Sequence, residues 1–137
     1  MTDIDPQELA ERYVAQWIEP DPAKRRDAIE RLWADDATHV LQPPVEIREA
    51  ADRLGFAHQT LRAEGHDAIE RRITGSYDHF IVGQGFTFRA RGGAVRLDGV
   101  VRIGWDALVG GEVHGGGEDL LVLAPDGRIR TDYMFPE

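Results

Sequence analysis

The chain changes its periodicity abruptly near residue 83, and few folds accommodate such a change. Before that point the apolar residues recur at helical spacing. Asp5-Pro6-Gln7-Glu8 combines a capping acid, a proline at the first helical position and an acid at the third, so a helix starts there with Leu9, Tyr13 and Trp17 on one face. Glu19-Pro20 ends it, and Asp21-Pro22 repeats the start signal for a second helix carrying Ala28, Ile29, Leu32 and Trp33. Thr38 to Leu41, bounded by Asp35-Asp36 and Pro43-Pro44, reads as a strand. Ile47, Ala50, Leu54, His58 and Leu61 predict a further helix over 44–63, and Gly65 breaks it. Ile69, Ile73, Tyr77 and Phe80 predict the last helix over 66–82. From there on the period is two: Phe86, Phe88 and Ala90 alternate with Thr87, Arg89 and Arg91, and Gly92-Gly93 permits a bulge. Asp98-Gly99, Gly110-Gly111 and Pro125-Asp126-Gly127 are hairpin turns that join four antiparallel strands. Helices followed by a meander define an α+β domain, with the helices packed on one face of a curved antiparallel sheet.

Composition removes several classes of function. The 137 residues carry 25 acidic and 16 basic side chains, a net charge of -9. Nucleic acid and anionic membranes need clustered cations, and neither half is basic: 8 against 14 up to Gly65, and 8 against 11 after it. Neither partner is therefore expected. There is no cysteine, which excludes disulfides, thiolate metal sites and a cysteine nucleophile. Ser76 is the only serine and sits in a helical stretch, away from any strand-to-helix elbow, so a serine triad is rejected. Lys24 is the only lysine and lies in a charged run on a solvated helix face, which argues against a Schiff base. No apolar run approaches the length of a membrane span and the start is acidic, so a cytoplasmic location is expected.

Arg12-Tyr13-Val14-Ala15, Ala34-Asp35-Asp36-Ala37-Thr38, Gly65-His66-Asp67-Ala68-Ile69 and Asp119, eight residues before Gly127-Arg128-Ile129, occur in an order that resembles the nuclear transport factor 2-like superfamily. Within it the sequence is similar to the SnoaL-like polyketide cyclases and the ketosteroid isomerases. That resemblance spans nearly the whole chain. It implies one domain over 1–137 and a cone-shaped curved sheet with the N-terminal helices on its concave face; 44–63 is longer than the link usual in that fold and reads either as an inserted lid helix over the cone mouth or as a surface helix covering a sheet edge. It also implies that Tyr13 and Asp119 form an oxyanion hole, as in the isomerases, or that Asp119 is itself the acid/base, as in the cyclases. The isomerase base is an aspartate before a proline just after the first strand. Here Leu41 and Gln42 precede Pro43, and neither accepts a proton.

Register places the candidate residues. Counting back from the Pro125-Asp126-Gly127 turn pairs Asp119 with Tyr133 and puts Leu121, Leu123, Ile129, Thr131 and Phe135 on the same inward face. Counting across Gly110-Gly111 pairs Asp119 with Arg102, and a one-residue bulge at Gly115-Gly116-Gly117 would bring up Ile103 or Trp105 instead. The glycine triplet either bends the sheet or admits a ligand close to backbone. The expected catalytic set is Asp119, Tyr13 and Tyr133; the expected substrate-binding set is Trp17, Trp33, His39, Phe88, Arg102 and Trp105. His39 points inward or outward according to one residue of register. His58, His66, His79 and His114 have no ligand partner at suitable spacing, so no metal is expected.

The expected function is a cofactor-independent isomerase, cyclase or lyase acting on a small apolar carbonyl compound, with Asp119 as proton shuttle. A non-catalytic ligand-binding or dimerisation module is the alternative. Epoxide hydrolysis by an Arg-x-Asp motif ranks third, because Arg96-Leu97-Asp98 lies at a turn and Arg130-Thr131-Asp132 is expected to face outward. A homodimer through the outer sheet face is expected from Leu120 and Val122, joined by Ile103 and Trp105 if the sheet is unbulged.

Overall fold

A computed structural model of the chain describes residues 3–55 and 61–137. Helix α1 (Pro6–Trp17) begins where Asp5 accepts from the backbone N–H of Gln7 and Glu8, and α2 (Pro22–Leu32) begins at the matching Asp21 cap. Both are amphipathic and bury one face: Leu9, Tyr13 and Val14 from the first, Ile29 and Leu32 from the second. Trp33, read from sequence as helical, is instead the first residue of β1 (Trp33–Leu41). Helix α3 (Val45–Arg53) buries no side chain. The helix expected over 44–63 is shorter than its pattern, since Leu61–Glu64 forms a strand, β2, antiparallel to β1. His58 lies outside the described residues. Helix α4 (Gly65–Ser76) widens at its end into a π-helical turn over Tyr77–Val82.

Five strands follow: β3 (Phe86–Ala90), β4 (Val95–Leu97), β5 (Val100–Val109), β6 (Glu112–Leu123) and β7 (Ile129–Pro136). The expected first strand of the meander is broken in two at Gly92-Gly93, and both pieces pair with β5. Gly110 and Gly111 take φ of 59° and 82°, the left-handed pair that a two-residue hairpin needs. The sheet runs β2-β1-β7-β6-β5-β3 and is antiparallel except where β1 lies parallel to β7, a pairing the local sequence does not announce. Helices α1, α2 and α4 cover its concave face, over a core that includes Leu9, Ile29, Trp33, Ile69, Ile73, Ile103, Leu121 and Ile129.

Two single-residue bulges flank β6, and they decide which side chains face the core. Between β5 and β6, Ala107 pairs with Gly115 but Leu108 with Val113, so His114 is the extra residue. Asp119 therefore lies opposite Ile103, and Arg102 opposite Leu120. Between β6 and β7, Val122 pairs with Thr131 but Leu123 with Ile129, so Arg130 is extra. Asp119 then faces Met134, while Tyr133 faces Leu120. A shift of one residue exchanges the faces of a strand. Tyr133 and Phe135, expected inward, stand on the convex face at 42% and 43% exposure, and Asp132 and Met134 turn into the core. Arg102 is likewise exposed on the outside, and Ile103 and Trp105, offered for the outer face, point inward.

Candidate functional site

A cavity of about 390 Å³ opens between the concave face of the sheet and helices α1 and α4. Its wall is largely aromatic: Trp17, Phe80, Phe86, Phe88 and Trp105 line it. Phe88 meets both Trp105 and Phe80 edge to face, with centroids 5.8 Å and 6.4 Å apart. Tyr13, His39 and Arg72 supply polar groups to the same wall, together with Gln42 and Ser76. Trp33, expected to bind substrate, does not reach the cavity; it is a fully buried core residue whose indole N–H donates to Gln16 Oε1 at 2.8 Å.

Two carboxylic acids lie directly behind this wall. Asp119 and Asp132 are both wholly buried. The Tyr13 hydroxyl sits between them, 2.9 Å from Asp119 Oδ2 and in a short hydrogen bond with Asp132 Oδ2. Trp105 Nε1 donates to Asp119 Oδ1 at 2.8 Å. Among the described residues no guanidinium or ammonium pairs with either acid. Burial pushes the Asp119 carboxyl above its ordinary value, although hydrogen bonds from Asp132, Trp105 and Tyr13 hold it back. Asp132 is raised further, first by burial and then by the charge of Asp119. Two carboxyls this close cannot both ionise in a dry site, so they titrate as a pair that retains a proton. Tyr13 is raised as well, by burial and by both acids, and stays a hydroxyl.

His39 extends the network. The parallel pairing of β1 with β7 sets its Cα beside that of Asp132, and the ring is buried against Trp17 and Trp33. Arg72 Nη1 lies 2.9 Å from His39 Nδ1. A guanidinium can only donate, so Nδ1 accepts and the ring hydrogen is on Nε2. Burial and the Arg72 charge lower the His39 pKa to about 3, which keeps the ring neutral. Its Nε2 is 3.6 Å from Asp132 Oδ2, beyond hydrogen-bond length, and this is a contact of neutral groups and not an ion pair. His39, Asp119 and Asp132 bring their ligand atoms within 4.8 Å of one another. With its lone pair turned to Arg72 and the Tyr13 hydroxyl already between the acids, the cluster does not fit a metal ion as arranged. Among the described residues four buried polar atoms lack a partner: Trp17 Nε1, His39 Nε2, Asp132 Oδ1 and Gln16 Nε2, and the first three belong to this region.

The glycine triplet has a packing reason. A Cβ on Gly117 would lie 2.5 Å from Trp105 Cζ2, and one on Gly116 would lie 2.4 Å from Arg91 Nη2. Bare backbone here lets the Trp105 indole lie across β6 so that Nε1 reaches Asp119. Gly115 meets nothing within 4 Å and lines the cavity.

Thus Tyr13, Asp119, Trp105, Trp17, Phe88 and His39 converge, and Tyr133, Arg102 and Trp33 do not. Asp132, Arg72, Phe80 and Phe86 were missed. Phe86 shares the strand face of Phe88, a signal that could have found it. Asp132 was hidden by the bulge at Arg130. That bulge also separates Arg130 from Asp132: the acid faces in and the arginine stays exposed, so no Arg-x-Asp unit forms.

No family model matches the sequence, and no curated protein does. Solved structures do match. The chain has the nuclear transport factor 2-like fold, and SnoaL-like proteins are among its structural neighbours. A proposed isomerase of the SnoaL-like family from Agrobacterium tumefaciens superposes with a TM-score of 0.77 at 23% identity, over 98% of this chain and 99% of that one. A SnoaL-like protein of unknown function from Burkholderia thailandensis gives 0.60 at 16% identity, over 98% and 99%. An NTF2-like protein of unknown function from an Exiguobacterium species gives 0.63 at 19%, over 94% and 98%. No helix among the described residues is long and apolar enough to cross a membrane.

Proposed function

We propose that this protein is a small-molecule acid–base enzyme of the isomerase, cyclase or dehydratase type, acting on an apolar carbonyl compound held in the aromatic cavity. The observation that carries this reading is the pair of buried acids sharing the Tyr13 hydroxyl with no cation beside them among the described residues. Such a pair is costly to keep in a core and concentrates at working sites. Tyr13 is the member that meets the ligand, and Asp119 and Asp132 stand behind it as the proton store. As the α-C–H bond of the substrate breaks and gives its proton to water in the cavity, the electron pair moves onto the carbonyl oxygen; Tyr13 donates to that oxygen, and the proton held between the acids keeps Tyr13 supplied. Trp105 fixes Asp119 during the transfer. The name of the Agrobacterium neighbour agrees with this class of reaction.

The test is α-hydrogen exchange of a bicyclic ketone such as 2-tetralone in deuterated buffer, followed by NMR. The wild type is expected to accelerate exchange, and Tyr13→Phe to lose about 100-fold, the usual cost of one oxyanion donor. A wild type that binds the ketone without accelerating exchange supports the second reading, a non-catalytic binding module. That reading is favoured by one observation: Leu41 and Gln42, which stand where the isomerase base would be, both line the cavity.

The outer sheet face supports a homodimer. Leu120 and Tyr133 are cross-strand neighbours there, Val122 pairs with Val100, and Tyr133 and Phe135 keep more than two-fifths of their surface exposed. A two-fold axis would place this stripe against itself. Sedimentation at micromolar concentration should give a dimer, and Tyr133→Glu should shift it to monomer; a monomeric wild type would remove the idea.

A further inference from the structure

Arg72 is half-buried in the cavity wall and has no carboxylate partner among the described residues. Among the described residues no acid lies within ion-pair distance of it, and residues 56–60, Phe-Ala-His-Gln-Thr, contain none to offer. One nitrogen, Nη1, makes all of its hydrogen bonds among the described residues: to His39 Nδ1 at 2.9 Å, the His39 carbonyl at 3.2 Å and the Leu61 carbonyl at 3.1 Å. All three acceptors are neutral. They fix the guanidinium plane and leave the Nε–Nη2 edge, the edge that takes a carboxylate in two parallel hydrogen bonds, without a partner. Burial lowers the pKa of this arginine, the signature of a cation held short of solvent and of counter-charge. Among the described residues the one other charged residue lining the cavity, Glu137, is neutralised by Arg91 at 2.8 Å. At the other end of the network the acids behind Tyr13 retain a proton and repel an anion less than two carboxylates would. A chain with net charge -9 repels anions overall, so a lone, immobilised arginine inside an aromatic cavity needs its own explanation.

We infer that the cavity takes a carboxylate-bearing ligand: a flat ring body of about two fused rings lies among Trp17, Phe88 and Trp105, and its carboxylate meets the free edge of Arg72. The cavity volume suits a compound of that size. This rests on the ligand pocket of the proposed function and narrows its substrate class from any apolar carbonyl compound to an acid.

Calorimetric titration of the purified protein with 2-naphthoate and with its neutral isostere 2-naphthamide tests it. The wild type should bind naphthoate about tenfold more tightly than naphthamide. Arg72→Gln should bring the two affinities within about twofold of each other, and Arg72→Lys, which keeps the charge without the fork, should recover part of the preference. Because the wild-type ratio is read on its own, a variant that fails to fold does not shield the inference. Naphthamide bound as tightly as naphthoate, or a preference that survives in Arg72→Gln, overturns the anion subsite and leaves the acid–base reading standing. If neither compound binds at millimolar concentration, the anion subsite is overturned, and the acid–base reading falls with it only if 2-tetralone exchange is not accelerated either.

Discussion

Asp132→Asn is expected to make the protein more stable than wild type at pH 7 and equally stable near pH 4. Both acids behind Tyr13 have folded pKa values above their unfolded ones, Asp132 the more so. A raised pKa means that the folded state binds the proton more tightly. The stability this brings is complete below the unfolded value of about 3.9 and is lost as pH rises through the folded pKa. Asparagine has the shape of the protonated acid and never ionises. Its amide can donate to Asp119, which is then free to ionise with donors from Trp105, from the new amide and from the single Tyr13 hydroxyl proton, now turned to it. The gain is expected to be about 1 kcal/mol at pH 7, the usual size of a stabilising substitution at a working site, and to vanish near pH 4. Urea melts of both proteins from pH 4 to 8 measure it: the wild-type curve should fall across this range more steeply than that of the variant. A variant that is less stable at pH 7 would mean that Asp132 is held as a carboxylate by a donor on its Oδ1, the atom found without a partner. The same substitution should impair proton transfer, as expected where stability has been given up for a site.

Gly117→Ala should destabilise the protein by about 3 kcal/mol and break the link between Asp119 and Trp105. The new methyl would lie 2.5 Å from Trp105 Cζ2 and 2.9 Å from the Phe135 carbonyl oxygen. The carbonyl belongs to the β6–β7 ladder and cannot retreat, so the indole must. Overpacking of this kind costs about 1–3 kcal/mol, and the Nε1 bond to Asp119 is lost with it, leaving a buried indole N–H unsatisfied. Thermal denaturation measures the cost, and the red shift of Trp105 fluorescence on displacement reports the movement. Gly115→Ala is the control: a Cβ there meets nothing within 4 Å, so its stability should change by less than about 0.5 kcal/mol. Equal effects at the two positions would show that the triplet matters for backbone bending and not for the indole.

Much of the fold was legible because it is written in short-range chemistry. The Asp-Pro starts of α1 and α2 satisfy their own backbone donors, and Gly110-Gly111 supplies the positive φ values of its turn, so each signal is complete within four residues. Alternation counted from the last turn placed Asp119, Leu121 and Leu123 inward correctly, because β6 itself carries no bulge between them and that turn. The helix read over 44–63 forms only over Val45–Arg53, for the opposite reason. Its apolar spacing continues through Leu61, but there the backbone groups find partners on β1, and a sheet edge outweighs a weak helical stripe that buries nothing.

Sequence by itself therefore determined the order and kind of most elements, the α+β class, the inward Asp119 and the aromatic character of the concave face. Tertiary structure decided who stands beside Asp119. One extra residue at His114 and one at Arg130 sent Arg102 and Tyr133 outward and brought in Ile103, Trp105, Met134 and Asp132. The parallel alignment of β1 on β7, between segments some ninety residues apart, set His39 against Asp132. A bulge costs little locally and leaves no mark in a two-residue period; it is chosen because the resulting faces pack, and packing is a property of strands brought together from distant parts of the chain.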